Sequence, residues 1–370
     1  MSAVGEVTRI ETRAELERAV ARWRGAPEIA LDTEFVFERT YWPRPGVVQV
    51  GVDGEIALVD AVSIADLSPL AEILVAPATR KLLHSGSGDA LLLERSAGVR
   101  PRPVFDTQVA AAFCGLGTAL SYGALVLALR EVTLGKGETR TDWTRRPLTD
   151  EQVRYAMEDI VHLAPVAAEL TRRLEALGRL AWAEEDSQAA VTADPGIDDP
   201  AQAWLRVRGI ERLKSAALAR ARALATWRDT EARRRDLPRT FLLRDETLLE
   251  IASRPVADVD GLAKARGFDR RRHAPFAKAV LEVLARSSDA TRDAGEDPIP
   301  AQPPRPIDRA VADAVEALAR ELTLPPELLL SRRARARLLA GLGTGEPPSA
   351  RLTGWRREVL GPPIDRAASR

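Results

Sequence analysis

The chain has 370 residues, 45% of them hydrophobic and 29% charged, with 54 basic residues balancing 54 acidic ones. That length allows two or three domains with substantial cores, and that composition belongs to an ordinary globular protein, not a disordered or fibrous one. A single cysteine, Cys114, excludes an internal disulfide and any cysteine-based zinc site. The opening MSAVGEVTRIETRAELERAV reads as neither a signal peptide nor a membrane span. No later apolar run is long enough for a bilayer either, and the sparse cysteine usage leads us to expect a cytoplasmic protein.

The zero net charge hides a division. Residues 1–200 carry 21 basic and 31 acidic groups, a balance of −10, whereas residues 201–370 carry 33 and 23, a balance of +10. An acidic half suits cation binding and a basic half attracts polyanions.

In chain order, Glu11 to Trp23 is an amphipathic helix, with Thr12 as its cap and Glu15 three residues later. IALDTEF, VVQVGV and EIALVD follow as three consecutive strands, a meander separated by the PRPG and VDG turns. IADLSPLAEILV has a helical pattern, RKLLH that of a strand, and SGSGDALLLERS opens another helix. VFDTQ is a short strand or turn and VAAAFCG a helix in which Cys114 is a small buried residue. From Leu120 the pattern is helical, ending in one long helix from about Thr149 to Leu177. Strands first and helices later predict a mixed sheet packed against helices. The expected divisions are a first domain over 1–186, a linker over 187–200, a helical bundle over 201–289, a proline-rich linker over 290–306, and a second, smaller bundle over 307–364 with a frayed IDRAASR end.

Acidic residues recur at positions with chemical meaning. Asp32 and Glu34 are two apart on an apolar strand, so both leave one face while Thr33 points away. Asp89 follows the SGSG turn near a helix N-terminus, and His84 before it reads as a hydrogen-bonded structural histidine, with help in positioning substrate as the alternative. Tyr155 and Asp159 are four apart and share one helix face. Taken singly, each carboxylate reads as a solvated surface group. Gathered by folding, they would repel unless cations neutralise them, and hard oxygen ligands favour magnesium or manganese over zinc. Trp143, Arg145 and Arg146 precede the tyrosine helix and are expected to approach a substrate backbone, with a structural role as open as stacking for Trp143. Arg206, Arg208, Arg212, Lys214, Arg220 and Arg222 offer a basic surface within a segment, 201–290, that holds 20 basic and 12 acidic residues.

These motifs closely resemble those of ribonuclease D, in the tyrosine subtype of the DEDD exonuclease superfamily. LDTEF supplies Asp32 and Glu34, HSGSGDALLL supplies Asp89, and YAMED supplies Tyr155 and Asp159. DTQVAAAFCG and ETRTDWTRRPLTDEQVRYA are similar to ribonuclease D in particular, and AWLRVRGIERL with DLPRTFLLRDETLLEIASRP resembles the HRDC domain. The resemblance implies an α/β ribonuclease H-like exonuclease domain followed by all-α HRDC-type domains. It implies a 3′–5′ exoribonuclease that releases nucleoside 5′-monophosphates. Asp32, Glu34, Asp89 and Asp159 would bind two divalent ions (Mg2+ or Mn2+), with Asp32 shared between them and Tyr155 orienting the attacking water. Its implied partners are RNAs with an accessible 3′ end, such as tRNA precursors undergoing 3′-end maturation and small structured RNAs. Neither a membrane nor an obligate protein partner is expected. A DNA 3′–5′ exonuclease and a non-catalytic nucleic-acid adaptor are the competing readings. A stand-alone helicase is disfavoured by the lack of a GxxxxGK[ST] phosphate loop.

Overall fold

The computed structural model describes residues 7–135, 141–192, 199–293, 305–339 and 346–369. These fall into two compact units, one of Met1–Val36, Pro45–Ala193 and Pro300–Arg370, the other of Phe37–Arg44 and Asp194–Ile299. Among the described residues, no helix is long and apolar enough to cross a membrane.

The first unit is built on a mixed sheet of β1 (Val7–Ile10), β2 (Glu28–Val36), β3 (Arg44–Val52), β4 (Glu55–Asp60), β5 (Arg80–Leu83) and β6 (Val104–Asp106). The strand order is β1-β4-β3-β2-β5-β6, with β3 and β4 antiparallel and the β1–β4, β2–β5 and β5–β6 pairs parallel. The expected meander is thus the run β4-β3-β2. The edge strand β1 is not foreseen in sequence, because four residues with two exposed leave no clear alternation.

Helices α1 (Arg13–Trp23), α2 (Ala71–Leu74), α3 (Ser87–Ala97), α4 (Thr107–Phe113), α5 (Tyr122–Arg130), α6 (Asp150–Val161), α7 (Leu163–Leu177) and α8 (Leu180–Thr192) cover the sheet. α1 begins with the expected capping box, in which Thr12 and Glu15 satisfy each other's backbone N–H groups. The single helix expected over 149–177 is instead two, because Pro165 lacks an N–H and its ring crowds the carbonyl of Val161, the last residue of α6. α8 continues through Thr192 with Ser187 fully buried, so the segment expected as a linker from 187 starts inside a helix. Residues 193–198 of that linker lie outside the described residues.

Alternation along β2 assigns its two faces. Ile29 and Leu31 enter a core with α1 and with Ala90 and Leu93 of α3, whereas Ala30 enters a second core with Ala156 and Ile160 of α6. β2 therefore runs between α3 on one side and α6 on the other.

The second core also takes in the C-terminal helices α14 (Arg305–Leu322), α15 (Pro326–Leu329), α16 (Arg332–Leu339) and α17 (Gly354–Ala368), which follow the second unit in sequence. Trp355 stacks on Trp182 of α8 at 5.0 Å and 15°, meets Phe113 edge-on at 5.4 Å, and donates its indole N–H to Asp186 over 2.9 Å. Arg356 completes a two-pronged ion pair with Asp186 and donates to the carbonyls of Leu328 and Leu329. The end expected to fray is held, since Ile364 is fully buried and Asp365 accepts from Ser349. Trp355→Ala is accordingly expected to cost about 3–5 kcal/mol, read as a lowered urea midpoint. An unchanged midpoint would mean that the C-terminal helices contribute nothing to the shared core.

The second unit contains α9 (Ser215–Arg235), α10 (Arg239–Leu242), α11 (Asp245–Ala252), α12 (Val259–Ala263) and α13 (Arg270–Asp293), closed around Leu224, Leu248, Ile251 and Val280. The linker expected after it falls mostly on 294–304, outside the described residues. Within this unit the fully buried Asp229 pairs with Arg206 and Arg233 and accepts from the Tyr41 hydroxyl over 2.9 Å. Asp236 accepts from the backbone N–H groups of Tyr41 and Trp42, fastening the 37–44 segment to α9.

Candidate active site

Asp32 and Glu34 leave β2 on the α6 side, as their spacing requires. Asp159, in the last turn of α6, meets them there, and one carboxylate oxygen from each of the three lies within 4.8 Å of the others. Each keeps partial contact with solvent, so a cation can reach the group. Asp89 comes from α3 on the opposite side of β2. It is buried, and its Oδ1 accepts from the hydroxyl of Thr33. Gln49, fully buried on β3, donates its amide to Oδ2 of Asp32 over 3.3 Å.

The turn that delivers Asp89 is fixed by a residue the sequence reading passed over. Asp106 is buried at the end of β6, and its carboxylate accepts from the N–H groups of Ser85 and Gly86, both at 2.9 Å. The same carboxylate caps α4 through Gln108 N at 2.9 Å, while the N–H of Asp106 donates to Ser187 on α8. Its signal was visible as an aspartate directly before the TQVAAAF helix. Ser85 adopts φ +58, a left-handed backbone that these bonds hold in place. His84 is structural as expected, with Nδ1 at 2.9 Å from the Thr107 hydroxyl and Nε2 at 3.1 Å from the Leu120 carbonyl.

Tyr155 stands one turn before Asp159 on α6, a helix opened by a Thr149–Gln152 capping box. Its ring lies 6.0 Å from that of Trp143. Trp143 is 1% exposed, which rules out stacking on a substrate base. Arg146 is equally committed, to the Asp60 carboxylate and to the carbonyls of Gly46 and Trp143. Gly46 is required there, because a Cβ would stand 2.5 Å from the Trp143 carbonyl oxygen. Arg145 alone of the three stays exposed. In the second unit Arg206 is spent on Asp229, Arg220 on the carbonyl of Ala252, and Arg222 on the face of Trp204 at 4.1 Å. Arg208, Arg212 and Lys214 remain exposed as expected.

Crowding the carboxylates has a measurable consequence. Burial, followed by the neighbouring acids, pushes Glu34 up to about 8 and drives Asp32 well above the usual carboxylate range. Burial likewise lifts Asp159 to about 7, against the opposing hydrogen bond of Tyr155, and Asp89 to about 6, against that of Thr33. Burial and then Asp159 raise the Tyr155 phenol, which therefore stays protonated. Among the described residues no basic side chain forms an ion pair with any of the four acids. An all-oxygen donor set with uncompensated negative charge fits hard divalent cations.

The 3′–5′ exonuclease family matches residues 7–175, and the HRDC domain family matches residues 217–284. Ribonuclease D of Xanthomonas oryzae pv. oryzae is 37% identical over 343 residues, covering 90% of this chain and 90% of that protein. The Escherichia coli K12 ribonuclease D is 34% identical over 365 residues, covering 96% and 95%. The chain belongs to the ribonuclease D family. The crystal structure of Escherichia coli RNase D, described as an exoribonuclease involved in structured RNA processing, superposes with a TM-score of 0.87 at 32% identity over 99% of both chains. Ribonuclease D architecture thus accounts for the mixed-sheet exonuclease domain and the helical HRDC region, and the chain is a 3′–5′ exoribonuclease. The acidic cluster within its exonuclease domain points to divalent metal use.

Proposed function

We propose that the chain trims RNA 3′ ends by two-metal hydrolysis, releasing nucleoside 5′-monophosphates, with tRNA precursors and small structured RNAs as its substrates. The observation that carries this reading is the Asp32–Glu34–Asp159 group within 4.8 Å, with Asp89 near enough to raise the Asp32 and Glu34 carboxyls and Tyr155 one turn from Asp159. Asp32, Glu34, Asp89 and Asp159 would hold the ions. When bound, divalent ions (Mg2+ or Mn2+) supply activation of water and neutralise charge on the scissile phosphate. The protein's part is placement. The protonated Tyr155 phenol, one helical turn from Asp159, can orient an attacking water by donating or accepting a hydrogen bond. The two helical accessory segments, 201–289 and 307–364, are proposed as the HRDC-type domains, with Arg208, Arg212 and Lys214 contacting phosphates.

Tyr155→Phe tests the role of the phenol directly. It is expected to lower kcat about a hundredfold, with Mn2+ affinity and thermal midpoint preserved. Equal kcat for the two proteins would remove Tyr155 from the mechanism. Digestion of a tRNA precursor bearing a 3′ trailer, run beside a sequence-matched DNA strand, tests the substrate. Trailer removal that outpaces DNA shortening supports the reading; faster shortening of DNA overturns it.

A further inference from the structure

Thr33 separates the two acids of the LDTEF strand, and the alternation of β2 turns it away from both. It does not face an apolar core alone. Thr33 is 6% exposed, and its hydroxyl donates to Oδ1 of Asp89. Asp89 arrives from the α3 side, where Leu31, Ala90 and Leu93 pack together, whereas Asp159 arrives from the α6 side. One residue triplet therefore serves both faces. Asp32 and Glu34 meet Asp159 on one side, and Thr33 meets Asp89 on the other.

Asp89 is also the acid that stands outside the 4.8 Å group formed by Asp32, Glu34 and Asp159. Among the described residues Thr33 is the one side chain that hydrogen-bonds to the Asp89 carboxylate, beside backbone N–H groups of Asp89 and of Thr33 itself. A carboxylate turns freely about its last bond unless one oxygen is held. A hydroxyl that donates to Oδ1 occupies a lone pair there and leaves Oδ2 as the better donor to a cation. The β-branched threonine suits this task, because its χ1 is restricted in a strand and the hydroxyl is aimed without further ordering cost.

We propose that Thr33 is a positioning residue, whose hydroxyl pins Oδ1 of Asp89 so that Oδ2 is the oxygen offered to a divalent cation. The inference rests on the metal reading of the acidic cluster given above. Gln49 provides a parallel from the neighbouring strand, since its amide holds Oδ2 of Asp32. The two neutral donors sit on adjacent strands, each bonded to a different acid, and neither adds charge to the cluster.

The test is calorimetric titration of the full-length chain with Mn2+ alone, without RNA, after EDTA treatment and buffer exchange. Wild type, Thr33→Val, Thr33→Ser, Asp89→Asn, the Thr33→Val/Asp89→Asn double variant and Asp32→Asn are compared. Valine keeps the shape and removes the hydroxyl, while serine keeps the hydroxyl. Partners that orient metal ligands are typically worth about 10–100-fold in affinity. Thr33→Val is therefore expected to weaken Mn2+ binding at least about tenfold, with Thr33→Ser restoring it and the metal-free variants still folded at the titration temperature. In the Asp89→Asn background the same substitution should add no further loss. Wild-type Mn2+ affinity in Thr33→Val, equal impairment by Ser and Val, or a full effect persisting without Asp89 would each overturn the proposal. Binding that is lost in Asp32→Asn but intact in Thr33→Val sinks the role of Thr33 alone. Failure of the wild type to take up Mn2+ beyond Asp32→Asn sinks the metal reading and this proposal with it.

Discussion

Asp32→Asn is expected to slow 3′-end hydrolysis about a thousandfold or more while raising the thermal midpoint of the metal-free protein near pH 8. The first effect follows from losing a carboxylate that faces Glu34 and Asp159 in a group able to hold a cation. Divalent ions supply several kcal/mol of charge stabilisation in such reactions, and each 1.36 kcal/mol is tenfold in rate. The second effect follows from the same crowding. Asp32 is pushed up by burial and then by Asp89, Asp159 and Glu34 in turn, so replacing it with a neutral isostere relieves repulsion. Asparagine can still accept from the Gln49 amide, so the strand need not move. The opposing directions separate a site cost from a folding defect. Loss of activity accompanied by a lower midpoint would point to misfolding instead. Activity near that of wild type with metals controlled would remove Asp32 from the chemistry.

Between about pH 5.5 and about pH 8, the EDTA-treated protein is expected to lose stability as pH rises, by about 5 °C or more in thermal midpoint. The folded chain holds protons on Asp89 up to about 6, on Asp159 up to about 7 and on Glu34 up to about 8, whereas the unfolded chain has released them near the ordinary carboxylate values. Groups raised in the folded state contribute stability that is present at low pH and disappears as pH climbs through those values. His84, His162 and His273 act the other way, since burial lowers them and folding favours their neutral forms. Comparison with Glu34→Gln isolates the carboxylate contribution, because the histidines are the same in both proteins. Millimolar Mg2+ or Mn2+ should flatten the wild-type curve by replacing protons with metal charge. A midpoint that rises steadily over this range in EDTA, equally in both proteins, would show that the acids are not crowded.

The chemistry was more legible in the chain than the scaffold that aims it. A two-residue step on an apolar strand and a four-residue step on a helix are geometric statements, so the spacing alone puts Asp32 with Glu34, and Tyr155 with Asp159, on shared faces. Thr33 was correctly turned away from its neighbours, yet nothing local shows that Asp89 waits on that side, because the contact spans 56 residues. Asp106 was hidden for the same reason. Its helix cap is local, but its hold on Ser85 and Gly86 is not. Trp143 looked equally suited to stacking or to packing and Arg146 suited to a substrate backbone, and only the partners Gly46, Asp60 and Tyr155 decide for packing in both cases. The arginines of the second unit misled through number alone. Composition counts charge, whereas Asp229 and Trp204 neutralise or cover part of it. Proline at 165 was in plain view, and its effect on the carbonyl of Val161 accounts for the divided helix.

Time-resolved digestion of a 5′-labelled RNA with a single-stranded 3′ tail, in Mg2+, in Mn2+ and in EDTA, measures directly whether the acidic cluster does this work. A ladder shortening one nucleotide at a time from the 3′ end is expected with either metal, with nucleoside 5′-monophosphates as the released product. It should stop in EDTA and resume when metal is restored. Shortening that continues undiminished in EDTA, or cleavage that starts within the strand, would contradict a metal-dependent 3′–5′ exoribonuclease centred on Asp32, Glu34, Asp89 and Asp159.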